Sequence, residues 1–237
     1  MNENNKPGPA RSKAEQLPLA FSHQTATGRE DLLVAAPLDA AVSIVDEWPR
    51  WPSPVVILAG PPGSGKSHLA SIWKNTSGAN EITPQKGQDA ARFAENGPVL
   101  FEDADRKGFD DTELFHVINS VRENGTSLLI TTRQWPAAWP VTLPDLRSRL
   151  KAATVVEIGE PDEDLLAQVL MKLFADRQLY MDDKLVSYIV ARMERSLDTA
   201  QSLVERLDRL ALSRGTRISR ALAAEVLTDM GSTLEDD

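Results

Sequence analysis

The sequence predicts an α/β fold: a phosphate-loop core built on a parallel sheet, followed by a small all-helical domain. Three observations predict it. A partly β-branched apolar run, Val55-Val56-Ile57-Leu58, leads directly into Gly60-Pro61-Pro62-Gly63-Ser64-Gly65-Lys66-Ser67 and then into helical spacing. Short apolar runs at 98–101, 127–132 and 153–156 are further strands, with an amphipathic helical segment between the first two. Beyond Gly159-Glu160-Pro161, every apolar pattern repeats at helical intervals. The expected division is an N-terminal arm over 1–30, a nucleotide-binding core over 31–158 and a helical domain over 159–237.

Taken in order, residues 1–30 are rich in Asn, Pro, Gly, Ser and Thr and lack sustained periodicity, so they read as a mobile arm. Within it, Gln16-Leu17-Pro18-Leu19-Ala20-Phe21 places Leu17, Leu19 and Phe21 on one face of an extended strand. Pro18 disfavours helix there. Such a trio either docks in a partner's groove or folds back onto the body of the protein. Pro37 opens a helix with Leu38, Ala41, Val42 and Val45 on one face, ended by Trp48-Pro49. Just upstream, Leu33 and Val34 either flank an adenine base or pack in the core.

Residues 60–67 satisfy every fixed position of G-x-x-x-x-G-K-[ST]. Gly60, Gly63 and Gly65, with Pro62 and Ser64 between them, let successive backbone N–H groups converge on a phosphate, and the helix opened by His68 adds a partial positive charge. Lys66 would reach the β/γ-phosphates, and the Ser67 hydroxyl would ligate Mg²⁺. Glu81-Ile82-Thr83 reads as a short strand closed by Pro84. The strand at 98–101 ends in Glu102-Asp103-Ala104-Asp105, where a Walker B element belongs: Glu102 would join the Mg²⁺ shell and Asp103 would polarise the attacking water. The usual order is Asp then Glu. Reversed, the pair fits catalysis poorly, and weakened intrinsic hydrolysis is expected.

Residues 112–124 form an amphipathic helix stopped by Asn124-Gly125. The strand at 127–132 ends in Thr131 and Thr132, either γ-phosphate or water ligands or strand-end caps. Leu143-Pro144-Asp145-Leu146-Arg147-Ser148-Arg149-Leu150 is a short helix bearing two arginines two residues apart, which therefore point in different directions. They are either surface charge or a projected arginine finger. Four helices are expected afterwards: one through Leu165–Phe174, one through Leu185–Met193, one through Leu197–Ala211, and a short one at Ala221–Leu227 before an acidic tail.

Composition narrows the function. There is no cysteine, hence no disulfide framework, thiolate metal site or cysteine nucleophile. His23, His68 and His116 are too scattered for a histidine metal site. No apolar run approaches a membrane span, and the polar N-terminus lacks a signal-peptide core, so a cytoplasmic protein without membrane contact is expected. A net charge of −9 argues against broad attraction to nucleic acid.

Taken together, these features resemble an AAA+ module and, more narrowly, the DnaA-related Hda family, regulatory inactivators of the replication initiator DnaA. Gln16-Leu17-Pro18-Leu19-Ala20-Phe21 is similar to that family's sliding-clamp-binding motif, and Leu143–Leu150 to its box VII segment, whose arginine is Arg149 here. Leu203-Val204-Glu205-Arg206-Leu207-Asp208-Arg209 resembles a helix of its lid, as the helical domain is called. The resemblance implies clamp binding through Gln16, Leu17, Leu19 and Phe21. It further implies ADP or ATP with Mg²⁺ as ligands, and DnaA and the polymerase sliding clamp (beta subunit) as partners, with DNA reached only through the clamp. Arg149 would act on nucleotide held by DnaA. No helix-turn-helix domain is expected after Leu227, unlike DnaA itself. One departure adds to the reversed acidic pair: the family's sensor 2 arginine falls at Asp198, so a cation there is missing or comes from Arg195. A self-sufficient ATPase motor or loader, and a non-catalytic adaptor of DnaA and the clamp, are the competing readings.

Overall fold

The computed structural model describes residues 37–234; the clamp-type motif at 16–21 and residues Leu33 and Val34 lie outside them. Strands β1 (Val55–Ala59), β2 (Asn80–Glu81), β3 (Val99–Phe101), β4 (Leu128–Thr132) and β5 (Thr154–Glu157) form one sheet in the order β2-β3-β4-β1-β5. Every pairing is parallel. The crossover order brings the C-terminal ends of β1, β3 and β4 together, the edge at which parallel α/β sheets bind ligands.

Because β1, β3 and β4 are buried on both faces, they read as continuous apolar runs, not alternating ones. Val55, Ile57, Phe101, Leu128 and Ile130 face one layer, formed by α3 (Ala90–Asn96), α5 (Asp111–Asn124) and α6 (Pro144–Lys151). Val56, Leu58, Leu100 and Leu129 face the other, formed by α1 (Asp39–Glu47) and α2 (Lys66–Ser77). There the fully buried Trp73 stacks on Trp51 at 5.2 Å and meets Trp48 edge-on at 6.3 Å. Each such side chain contributes roughly 1.5–3 kcal/mol on burial.

A separate apolar cluster joins α7 (Glu163–Asp176), α8 (Asp183–Val190), α9 (Leu197–Arg214) and α10 (Arg220–Leu234). Helix α7 bridges the two: Leu165 packs with the sheet and Leu166 with the helical cluster. Asp162, Asp182 and Ser196 cap α7, α8 and α9 through their side-chain oxygens. Among the described residues no helix is long and apolar enough to cross a membrane.

Four expectations need correction. The second strand is Asn80–Glu81, not 81–83; the Ile82 N–H still pairs with Leu100 O at 2.8 Å, but Pro84 has no N–H with which to extend the ladder. Helix α3 was not foreseen. It is one short, weakly amphipathic turn pair, held by bonds from Ser120 Oγ to Ala91 O (3.0 Å) and from Thr126 Oγ1 to Ala94 O (2.7 Å). Nor was α4 (Ala104–Lys107), a single turn directly after the acidic pair. Helix α10 runs to Leu234, well beyond the short helix expected, because Leu222, Ala223 and Val226 dock on the lid cluster.

Candidate functional site

The phosphate loop joins β1 to α2, and the helix begins at Lys66, two residues earlier than expected. Gly65 caps it in the left-handed region (φ 94°), a conformation that glycine adopts without penalty. Gly63 is also left-handed (φ 64°), and a Cβ there would lie 1.9 Å from Ser196 Oγ. Glycine is required at this position by backbone and neighbour alike. The neighbour belongs to the lid: the Leu197 N–H donates to Gly63 O at 2.8 Å, and Leu197 Cδ1 would sit 3.3 Å from a Cβ on Gly65. The amino end of α9 thus rests directly on the loop, a contact absent from the sequence reading.

Lys66 is buried, and its Nζ donates to Gly60 O (2.8 Å), Pro61 O (2.6 Å) and Ser64 Oγ (3.3 Å). Burial pushes its pKa down; Asp103 opposes, Arg133 reinforces, and Asp105 and Asp198 oppose. The lysine therefore stands among three carboxylates and one guanidinium. Ser64 is 1% exposed and helps shape the loop, while Pro62 and Ser67 are exposed on its surface and His68 is half-buried one residue into the helix.

The Ser67 hydroxyl lies close enough to the Glu102 carboxylate to favour its ionised form. Glu102 Oε1 is buried without a hydrogen-bond partner. Burial raises the Glu102 pKa, helped by the charge of Glu81 and, more weakly, Asp103, against Lys107 and the Ser67 hydroxyl. An orphaned carboxylate oxygen beside a hydroxyl is a donor set that fits Mg²⁺, which needs only one or two protein oxygens when phosphates and water complete its shell. Bound there, the ion would neutralise phosphate charge. Among the described residues no group of three or more His, Cys, Asp or Glu forms a separate metal site.

Asp103 is itself left-handed (φ 54°), and its N–H donates to Thr131 Oγ1 at 2.9 Å. Both strand-end threonines are fully buried. Thr132 Oγ1 accepts from the Gln134 N–H (3.2 Å) and lies 3.0 Å from Gln134 O and 3.3 Å from Asp105 Oδ1, an oxygen that also accepts from the Arg133 N–H (3.0 Å). Both hydroxyls brace the polypeptide at the sheet's end, the capping alternative. The Thr131 hydroxyl keeps its own proton to donate.

Arg195, the alternative cation near the phosphates, bonds Glu163 in the first turn of α7 at 2.9 Å. Asp198, one residue past the Leu197 contact with the loop, is instead among the charges acting on Lys66. Arg133 was overlooked; its only sequence signal is its place immediately after Thr131-Thr132.

Away from the loop, α6 separates the two arginines. Arg147 Nη2 donates to Val141 O at 2.5 Å and lies within electrostatic reach of Asp111. Arg149 is half-buried, and its guanidinium has no hydrogen bond or ion pair among the described residues. Among the described residues, only Arg147 of the pair makes a side-chain bond.

No protein-family model matches the chain. An uncharacterised protein of Haemophilus influenzae is 25% identical over 188 residues, covering 73% of this chain and 81% of that one. The chromosomal replication initiator protein DnaA of Symbiobacterium thermophilum is 22% identical over 215 residues, 81% of this chain; the match spans 47% of that protein's length, about half. Among solved structures, domain III of Thermotoga maritima DnaA superposes with a TM-score of 0.69 at 16% identity, covering 86% of this chain and 96% of that one. DnaA bound to AMPPCP and single-stranded DNA gives 0.61 at 16% identity over 76% and 63%. The fold is that of DnaA domain III: a five-stranded parallel sheet between helical layers, followed by a helical domain.

Proposed function

We propose that this chain is a nucleotide-binding AAA+ regulator that restrains chromosomal replication initiation by binding the sliding clamp and promoting hydrolysis of DnaA-bound ATP. Its own site supports a ligand-binding role: the phosphate loop is complete, and Ser67 lies beside Glu102, an arrangement that would suit Mg²⁺. The likeness to DnaA bound to AMPPCP supports ADP or ATP as the ligand. Slow turnover is supported by the acid at Asp198, which acts on Lys66 where the resemblance implies a cation, and by the pairing of Arg195 with Glu163.

The observation that carries the proposal is Arg149, whose guanidinium has no partner among the described residues although its neighbour Arg147 is tied down. An arginine supplied to another protein's nucleotide accelerates phosphoryl transfer by ~10³–10⁵-fold by stabilising the charge of the transition state. Clamp tethering rests on Gln16, Leu17, Leu19 and Phe21, outside the described residues. The test is turnover of DnaA-bound ATP with clamp loaded on DNA. Wild-type chain should accelerate it and Arg149→Ala should abolish the acceleration; equal stimulation by both would reject the trans-acting arginine.

The Ser67–Glu102 pair also favours a second reading, a self-sufficient ATPase. Purified chain would then hydrolyse ATP readily by itself and lose that activity in Lys66→Ala.

A further inference from the structure

A finger acts only if its helix is held at a fixed angle, and one carboxylate holds this helix. Asp111, the first residue of α5, accepts three hydrogen bonds on a single oxygen: from Thr142 N (2.7 Å), Thr142 Oγ1 (2.7 Å) and Leu143 N (2.9 Å). Leu143 is the residue that caps α6, and it has no side-chain oxygen with which to bond the helix's first N–H groups. The segment from Thr142 into α6 is therefore fixed from outside, by the α5 carboxylate. Arg147, in the second turn of α6, reaches back to Val141 O and adds its charge to the same cluster. Leu146 and Leu150, buried in the sheet's core, hold the opposite side of α6. Between the two, Arg149 leaves the helix half-buried.

The geometry points to Asp111 as the positioning residue for Arg149. This inference rests on the trans-acting role proposed for Arg149. Asp111 acts through the backbone at 142–143 and is not among the charged groups that act on Lys66, which are Asp103, Arg133, Asp105 and Asp198. A three-bond acceptor is expected to be sensitive to loss of charge, since bonds to an ionised oxygen are roughly twice as strong as neutral ones. Removing it frees the start of α6 to pivot about Leu146 and Leu150, and misplacement of a catalytic group by about 1 Å can cost around 10²-fold in rate.

The test uses full-length chain, DNA-loaded clamp and DnaA charged with ATP, with maximal stimulated turnover and half-saturating chain concentration measured separately. Asp111→Ala should lower maximal stimulation about 10- to 100-fold, leave half-saturation and the chain's own affinity for fluorescent ADP unchanged, and raise amide exchange at Thr142 and Leu143. Asp111→Asn, which keeps the shape and an acceptor oxygen, should fall between Ala and wild type and covers the case in which the alanine variant folds poorly. In an Arg149→Ala background, Asp111→Ala should cause no additional loss. If Arg149→Ala abolishes stimulation while both Asp111 variants retain it, the positioning role falls and the finger stands. Additive losses in the double variant would also overturn the positioning role. If Arg149→Ala retains full stimulation, the finger falls and the positioning role with it.

Discussion

Gly63→Ala tests whether the lid and the phosphate loop are one mechanical unit. The added methyl would meet Ser196 Oγ at 1.9 Å and Ser196 Cβ at 2.7 Å, while the backbone sits at φ +64°. Two penalties therefore combine. Holding an L-residue in the left-handed region costs about 1–2 kcal/mol. Forcing a methyl into an occupied contact costs about 1–3 kcal/mol, taken up here by moving α9 away from the loop and lengthening the 2.8 Å bond from Leu197 N to Gly63 O. The sum is about 2–5 kcal/mol. Ser196→Gly separates the terms, because glycine removes both clashing atoms and remains acceptable as the α9 cap, at a loss of only a few tenths of a kcal/mol. In that background Gly63→Ala should cost only the backbone term, about 1–2 kcal/mol. Urea unfolding of the four proteins, followed by tryptophan fluorescence and circular dichroism, gives the coupling. Strict additivity, or a Gly63→Ala loss under about 0.5 kcal/mol, would refute the contact.

Glu102→Gln should stabilise the ligand-free protein at neutral pH by on the order of 1 kcal/mol while weakening Mg²⁺-dependent nucleotide binding. The sign follows from its raised pKa: the ionised carboxyl is disfavoured in the folded state, so wild-type stability falls as pH rises from the ordinary carboxylate range through the raised value, and Gln removes that slope. Melting curves at pH 5 and pH 7.5 with and without Mg²⁺ check it; a variant less stable than wild type at pH 7.5 would contradict it. Asp198→Arg should tighten binding of a nucleoside triphosphate about tenfold by supplying a charged donor near Lys66, and should cost about 0.3–1 kcal/mol because an acidic residue is favoured at a helix start. Calorimetric titration that shows unchanged or weaker binding would count against the placement.

The features legible in the sequence were those whose physics is local. The phosphate loop reads directly because strand, glycine turns and helix start lie in one continuous stretch. Helix α5 is similarly local in its apolar spacing and its Asn124-Gly125 stop, although its cap, Asp110 bonding Thr112 N and Glu113 N, was not read from the sequence. What was not legible depends on residues distant in the chain. Nothing near Gly63 announces Ser196, and nothing near Arg133 or Asp105 announces their approach to Lys66. Helix α3 was missed because its turns depend on Ser120 and Thr126 across the layer. Arg147 and Arg149 are equivalent in composition and spacing; the fold distinguishes them, with Arg147 exposed and bonded to the Val141 carbonyl beside Asp111, and Arg149 half-buried.

Those distant contacts also change what a nucleotide does here. The carbonyl of Gly63 and the N–H of Leu197 join the loop to the first residue of α9, and Asp198 on the next turn position acts on Lys66. A ligand seated on residues 60–67 therefore meets a backbone that the lid already holds, and its charge is felt by a residue of the lid. Any preference of the ligand for one lid position must appear equally as a preference of that lid position for the ligand, because coupling between sites is reciprocal. The Asp198 carboxylate lowers the gain from added phosphate charge without loosening this mechanical link. Binding can thus order the helical domain against the core through the Gly63–Leu197 contact, independently of any turnover of the ligand.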